Sequence, residues 1–184
     1  MNVQIGKAVD SDRQAISEVA MAAFGATEGE QIIQLIADLL SDASAQPVLS
    51  LVATTDGCII GHILFTKASV NNPAGRKISA AILAPLAVHP DFQSQGIGGQ
   101  LVTEGLGHLS QAGVDVVFVL GHPSYYPKFG FTQAGVNGFD APYPILPKNA
   151  SAWMVQALRP GIIRALTGQV VCADALDEAK YWRE

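Results

Sequence analysis

The chain has 184 residues, of which 49% are apolar and 15% charged, a composition that excludes a disordered chain and suffices for one domain with a sizeable core. Its formal net charge is −5 and its Lys and Arg residues form no cluster, which argues against a nucleic acid partner. The longest apolar stretches are strand-sized, and the N-terminus lacks the pattern of a secretion signal. We therefore expect no membrane segment and a cytoplasmic location.

The first third of the chain predicts a strand followed by two helices. Residues 3–9 have a strand pattern, and residues 11–14 have the form of a helix capping box. Ile16, Val19 and Ala20 follow at helical spacing. A second amphipathic helix is expected from about Glu28 to Ser41.

Three strands and further elements follow. Asp56-Gly57 between the apolar runs 48–55 and 58–69 predicts a hairpin, and a third strand is expected over residues 78–88. These strands are apolar on both faces, as expected for a sheet covered by helices. The later expected elements are a helix over 98–112, a strand over 114–120, a short helix over 125–129, a strand near Phe131, an irregular region over 138–147, a strand over 152–158 and a short helix over 160–167. This order predicts a mixed α/β domain that is not doubly wound.

The segment that contains Gln93-Ser94-Gln95-Gly96-Ile97-Gly98 is the most informative part of the sequence. It runs from a strand through a glycine-rich loop into a helix, whose first N–H groups and dipole favour a bound diphosphate. Neither the G-x-G-x-x-G spacing of a dinucleotide fold nor the Gly-Lys-Ser/Thr of a P-loop is present. The alternative is a glycine turn that merely connects two elements.

The pattern Val88-x-Pro90-x-x-Gln93-x-x-Gly96-Ile97-Gly98-x-x-Leu101 resembles the acetyl-CoA motif of the GNAT N-acetyltransferase superfamily. The resemblance implies a GNAT fold with splayed strands that bind acetyl-CoA, without a metal. It places pantetheine on the backbone around Leu86, Ala87 and Val88. The residues implied for the pyrophosphate are Gln93, Ser94, Gln95, Gly96, Ile97, Gly98 and Gly99.

Pro85 fits the same interpretation. A proline within a strand removes a ladder donor and suggests a bulge or a separation from the neighbouring strand. In the superfamily the corresponding strand is bulged, and the pantetheine arm lies in the opening. The alternative for Pro85 is an edge position without a ligand role.

A second signature, residues 121–131, is similar to the Tyr-x-x-x-Gly-Phe element of the same superfamily, with Tyr126 four residues before Gly130. The doubled tyrosine resembles one bacterial subgroup, the YhbS-like acetyltransferases. The resemblance implies that Tyr126 contacts the cofactor and protonates the leaving thiolate, and that the N–H of Val88 stabilises the oxyanion. The alternative for Tyr126 is an aromatic packed between helix and sheet.

The general base is not singled out by the sequence. His122 is a candidate base or substrate contact because an imidazole titrates near neutral pH; its alternative is a polar cap on the next helix. Glu28, Glu30 and Tyr125 are candidate substrate contacts, although the two acids also suit a solvated helix start. His62 and His89 are expected to be structural, and His108 exposed.

The predicted function is acetyl transfer from acetyl-CoA to a primary amine of a small molecule or protein. The alternative is a non-catalytic acyl-CoA-binding module that senses cofactor or regulates a partner. We expect a single domain over residues 1–184, with a core over about 3–137 and a C-terminal extension over 138–184 that completes or covers the sheet. A monomer or a homodimer is expected. Cys58 and Cys172 lie in apolar runs, which favours buried thiols.

Overall fold

The computed structural model of the chain describes residues 1–183. Its helices and strands are, in chain order, β1 (Gln4–Lys7), α1 (Arg13–Phe24), α2 (Ala26–Ser41), β2 (Leu49–Thr55), β3 (Cys58–Asn71), β4 (Ala80–Val88), α3 (Ile97–Gln111), β5 (Val116–Leu120), β6 (Thr132–Gln133), β7 (Phe139–Asp140), β8 (Trp153–Ala157), α4 (Ile162–Ala165) and β9 (Gly168–Val171). A turn of 3₁₀ helix, Tyr126–Phe129, follows β5. Among the described residues, no helix combines the length and apolarity that crossing a membrane requires.

The sheet is mixed and mostly antiparallel, as predicted. Its strand order is β1-β2-β3-β4-β5-β8-β6, and only β4 and β5 pair in parallel within that path. Strand β8 comes from the C-terminal third of the chain, yet it lies between β5 and β6. The far end of β3 continues beyond its neighbours and pairs with β9, which in turn pairs with β7.

Both faces of the sheet are covered, which explains the two-sided apolar pattern of its strands. Leu64 of β3 packs into a core with Leu39 of α2 and Phe118 of β5. The next residue, Phe65, points to the opposite face and packs with Leu101 and Val102 of α3. Alternate residues of a strand point to opposite faces, so one strand contributes to both cores.

Helix α3 is bounded by two glycines in left-handed conformations. Gly96 precedes it with φ of +80°, and Gly113 follows it with φ of +87°. At the end of the helix, Val114 N–H donates to the carbonyl of Leu109 at 3.0 Å and Gly113 N–H to that of Ser110 at 3.1 Å, which is a Schellman motif. Strand β5 therefore begins only at Val116, two residues later than predicted.

Two sequence expectations were wrong. Cys58 is exposed, because it is the first residue of β3 and directly follows the exposed Asp56-Gly57 turn. The start of α2 was also expected two residues too late, since the helix begins at Ala26 rather than at Glu28 and contains both Glu28 and Glu30. Cys172 is half-buried, and burial raises the pKa of its thiol to about 12.

Candidate active site

The parallel strands β4 and β5 separate soon after they begin. Their pairing covers only residues 80–82 of β4 and 116–118 of β5. Beyond that point the register of β4 against β3 shifts, so that Ala84 and Pro85 together face the single residue Leu64. This bulge is the irregularity that Pro85 predicted. Within residues 1–183, the second half of β4 has no strand partner on its β5 side.

The register of β4 directs alternate backbone groups into this opening. His89 N–H donates to the carbonyl of Ile60 at 2.8 Å, which makes these two residues a hydrogen-bonded pair. Such pairs alternate with non-bonded ones along antiparallel strands. Val88 and Leu86 are therefore non-bonded positions whose N–H and C=O groups point away from β3. Ala87 lies at a bonded position opposite His62, so its backbone groups face β3 instead.

The loop after β4 presents a run of unpaired N–H groups. Within the described chain, the N–H groups of residues 94–99 donate to no protein acceptor, because the first bond of α3 runs from Gln100 to Gly96. Ser94 has φ of +61° and Gly96 has φ of +80°, an arrangement that curls the backbone amides inward. A left-handed serine costs about 1–2 kcal/mol, and such strain is concentrated at binding sites.

Gln93 differs from the residues that follow it in the loop, because its N–H and its side chain both contact protein acceptors. Its N–H is already directed at the carbonyl of Pro90, 3.4 Å away. Its side-chain Nε2 donates to the carbonyl of Val88 at 2.9 Å and so fastens the loop to the end of β4. The N–H of Val88 stays available to the opening, whereas its carbonyl is occupied.

The glycines of the loop serve two purposes. A Cβ at Gly96 would have no neighbour within 4 Å, so this position leaves space open above the loop. A Cβ at Gly98 would lie 2.5 Å from Oη of Tyr125, and one at Gly99 would lie 3.1 Å from the ring of Phe129. Gly98 and Gly99 therefore let the second signature pack directly on the first turn of α3, a contact that spacing alone did not reveal.

The two tyrosines have different surroundings. Tyr126 is 7% exposed, with its ring against Gly121 and 5.6 Å from that of Phe131. Burial raises the pKa of the Tyr126 hydroxyl far above its ordinary value of 10, and the neighbouring Tyr125 adds to the effect. Tyr125 is half-buried, and burial raises its pKa in the same direction. Tyr126 is thus packed among other residues, as its alternative interpretation expected. It also lines the cleft.

The other polar candidates occupy different places. His122 is exposed at the carboxyl end of β5 and lines the cleft. Its carbonyl, rather than its side chain, caps the following turn by accepting from the N–H groups of Tyr125 and Tyr126 at 3.1 and 3.4 Å. Glu28 lines the cleft, whereas Glu30 lies on the exposed side of α2 away from it.

One cleft of about 1600 Å³ joins these parts. It runs over the loop and over the opening between β4 and β5. It then continues between α2 and residues 176–182, which we call the C-terminal segment. Of the residues proposed for the site, Ala87, Gln95 and Glu30 are not part of its wall. Wall residues that the sequence did not suggest include Phe24, Gln31, Lys128, Leu176, Tyr181 and Trp182. In the part of the chain that the structure describes, no three His, Cys, Asp or Glu side chains are grouped as metal ligands.

This combination of a splayed parallel strand pair and a phosphate-type loop defines the acetyltransferase class of the GNAT fold. The family model "Acetyltransferase (GNAT) domain" matches residues 4–134, and the chain belongs to this family. The fold class and the family expected from the sequence are thereby confirmed.

Individual relatives agree with this assignment. The chain is 45% identical over 165 residues to the uncharacterized N-acetyltransferase YjhQ of Escherichia coli K12, covering 89% of this chain and 88% of YjhQ. The structure of the N-acetyltransferase YhbS from Escherichia coli, in complex with CoA, superposes with a TM-score of 0.84 at 30% identity over 97% of this chain and 93% of YhbS. A Brucella melitensis GNAT acetyltransferase in complex with acetyl-CoA gives 0.74 at 30% identity, over 96% and 99% of the two chains.

Proposed function

We propose that the chain transfers the acetyl group of acetyl-CoA to a primary amine of a small molecule or a protein. The observation that carries this proposal is the opening between β4 and β5, which leads directly into the loop of free N–H groups. The two related structures that hold CoA and acetyl-CoA support the choice of cosubstrate.

The residues fit the two chemically different parts of acetyl-CoA. A pantetheine arm carries amide groups, and the N–H and C=O of Leu86 face the opening in position to pair with them. A pyrophosphate needs several converging donors and favours a helix N-terminus, which residues 94–99 provide. Space above Gly96 is free of side chains.

Transfer requires a neutral amine to attack the thioester carbon. A C–N bond forms and the carbonyl electrons move to oxygen. The C=O bond then re-forms as the C–S bond breaks with its electron pair on sulfur, and the nitrogen gives up a proton to become the amide. The N–H of Val88 points into the opening and is the proposed donor to the negative oxygen. Because the carboxyl ends of parallel strands meet at one edge of a sheet, His122 and Tyr126 after β5 lie at the same edge as Val88.

The surroundings of Tyr126 refine its proposed role. An alkyl thiol titrates at about 8.5, whereas burial holds the pKa of Tyr126 far above 10. Full proton transfer from the tyrosine to the thiolate would therefore be uphill. Donation of a hydrogen bond to the departing sulfur requires no such transfer, and the hydroxyl is protonated throughout the physiological range. We assign this donation to Tyr126.

The amine must also lose a proton, since amines of the lysine type titrate at about 10. His122 is exposed on the cleft wall, and its side chain forms no hydrogen bond within residues 1–183. It is the proposed acceptor of this proton, directly or through water. Glu28, a residue of α2, lines the cleft and is the proposed contact for the positive charge of the incoming amine.

Thiol release from acetyl-CoA in the presence of a panel of amines tests this function. We expect turnover with at least one amine, and we expect Tyr126→Phe to lower kcat by about 10- to 100-fold, the value of one hydrogen bond to a charged group. The dissociation constant for CoA should change by less than about threefold, because the ring and its packing remain.

Tyr125→Phe is the matched control, since it removes a neighbouring hydroxyl from the same cleft. Equal kcat in Tyr126→Phe and the wild type would return Tyr126 to a packing role. Tight CoA binding without turnover on any amine would instead identify a binding module.

A further inference from the structure

We propose that Lys128 binds a phosphate group of CoA, so that the second signature contributes to the phosphate site as well as to the chemistry. This inference rests on the proposed function, because it takes CoA as the ligand of the loop. The phosphate in question is either the pyrophosphate or the 3′-phosphate, and the experiment below separates the two.

The loop itself contains no cation. Residues 93–99 are Gln, Ser, Gln, Gly, Ile, Gly and Gly, in a chain whose formal net charge is −5. CoA carries several negative charges, so the field of the whole molecule disfavours its approach. Backbone amides offer partial positive charge only, and a nearby ammonium group would therefore add substantially to phosphate affinity.

Contacts between the two signatures bring Lys128 to the loop. Tyr125 reaches Gly98 with its hydroxyl, and Phe129 packs on Gly99, so the Tyr126–Phe129 turn lies on the first turn of α3. The Nζ atom of Lys128 lies 5.5 Å from the centroid of the Tyr125 ring. This cation–π contact holds the ammonium group on the same Tyr125 side chain whose hydroxyl reaches Gly98 at the start of α3.

Of the two lysines that line the cleft within residues 1–183, Lys128 is the one that is free to bind an anion. Its side chain is exposed on the cleft wall, and no carboxylate lies within 4 Å of it in the described chain. The other lysine of the wall, Lys180, pairs with Glu178 at 3.3 Å on the C-terminal segment. Neither carboxylate in the described part of the cleft wall pairs with Lys128. Glu28 lies on α2, and Oε2 of Glu104 lies 3.8 Å from Nε2 of His108.

Isothermal titration calorimetry at low ionic strength tests the proposal, with CoA and 3′-dephospho-CoA as ligands. Lys128→Gln should weaken CoA binding by about tenfold, the value of one charge-assisted hydrogen bond, while Lys128→Arg keeps most of the affinity. A loss that appears with both ligands assigns Lys128 to the pyrophosphate. A loss confined to CoA assigns it to the 3′-phosphate.

Lys148→Gln is the control, because Lys148 is exposed and is not part of the cleft wall, and its removal changes the net charge equally. The proposal is overturned if Lys128→Gln binds both ligands within about twofold of the wild type, or if Lys148→Gln shows the same loss. Wild-type protein that binds neither ligand would overturn this inference together with the proposed function. Wild-type binding with unchanged Lys128→Gln affinity would overturn this inference alone.

Discussion

His62 is a single residue whose environment has a consequence for the stability of the whole chain. It is 1% exposed in the middle of β3, and its Nε2 lies 2.9 Å from the hydroxyl of Ser50. Burial lowers the pKa of the imidazole from 6.5 to about 4. His62 does not line the cleft, which agrees with the structural role expected for it.

We predict that stability falls as the pH decreases from about 6.5 to about 4. In this window the unfolded chain binds a proton at His62 and the folded chain does not, so ionisation favours unfolding. Between pH 7 and pH 5 the loss from this residue is about 2 kcal/mol in the free energy of unfolding. Urea denaturation at the two pH values measures it.

The wild type and one variant provide the comparison. His62→Gln should lose less stability than the wild type between pH 7 and pH 5, whatever its absolute stability. Equal pH dependence in the wild type and His62→Gln would show that His62 does not titrate in this way.

At the scale of elements, α3 packs closely against β3 because it has a glycine at the contact. A Cβ at Gly105 would overlap the ring of Phe65, whereas a Cβ at Gly107, two residues later, would have no neighbour within 4 Å. The two positions belong to the same helix and differ only in which face they occupy. Substitutions at these two positions therefore form a matched pair that tests how closely α3 approaches Phe65 of β3.

We predict opposite effects of adding one methyl group. Gly105→Ala should destabilise the protein by about 1–3 kcal/mol because Phe65 must move. Gly107→Ala should stabilise it by about 0.5–1 kcal/mol through helix propensity. Denaturant unfolding measures both, and a stabilising Gly105→Ala would mean that α3 does not lie against Phe65 as described.

The elements that sequence predicted well are those whose signals are local. The amphipathic α2, the Asp56-Gly57 hairpin and the proline bulge each follow from a short stretch of residues. Strands β7 and β9 were missed. Strand β9 forms because β3 extends to Asn71 and offers its edge, and Gly168 permits an approach to the Asn71 backbone that a Cβ would block.

The same distinction applies to the candidate site. The loop and Tyr126 could be proposed from the sequence because each belongs to a contiguous motif. The part of the cleft wall formed by residues 176–182 was not predicted, because contacts between residues far apart in the sequence position it. The N–H of Ala175 donates to Asp42 at 2.9 Å, and that of Asp174 to the hydroxyl of Ser44 at 2.8 Å, across more than 120 residues.

At the scale of the whole molecule, the C-terminal segment closes the cleft and is anchored in the core. Trp182 is 2% exposed, and its Nε1 donates to the carbonyl of Leu176 at 3.0 Å. Its ring meets that of Trp153 edge-on, with the centroids 5.6 Å apart. Leu176, Tyr181 and Trp182 all contribute to the cleft wall, so anchoring and wall formation are coupled.

We predict that Trp182→Ala lowers the free energy of unfolding by about 3–5 kcal/mol, since it leaves a large cavity beside Trp153. Tyr181→Ala, at the adjacent and partly exposed position, should cost distinctly less. Chemical denaturation of both variants provides the measurement. Similar losses would mean that the segment is not anchored through Trp182.

The proposed function depends on the loop at residues 94–99 as the pyrophosphate site of CoA. Gly96→Glu places a carboxylate in the open space above the free N–H groups, while Gly75→Glu, at a glycine with φ of +65° outside the cleft, imposes comparable backbone strain. Calorimetric titration with CoA is the direct measurement. We predict that folded Gly96→Glu loses CoA binding and that Gly75→Glu retains it. Wild-type affinity in a folded Gly96→Glu variant would contradict the assignment of the loop as the pyrophosphate site.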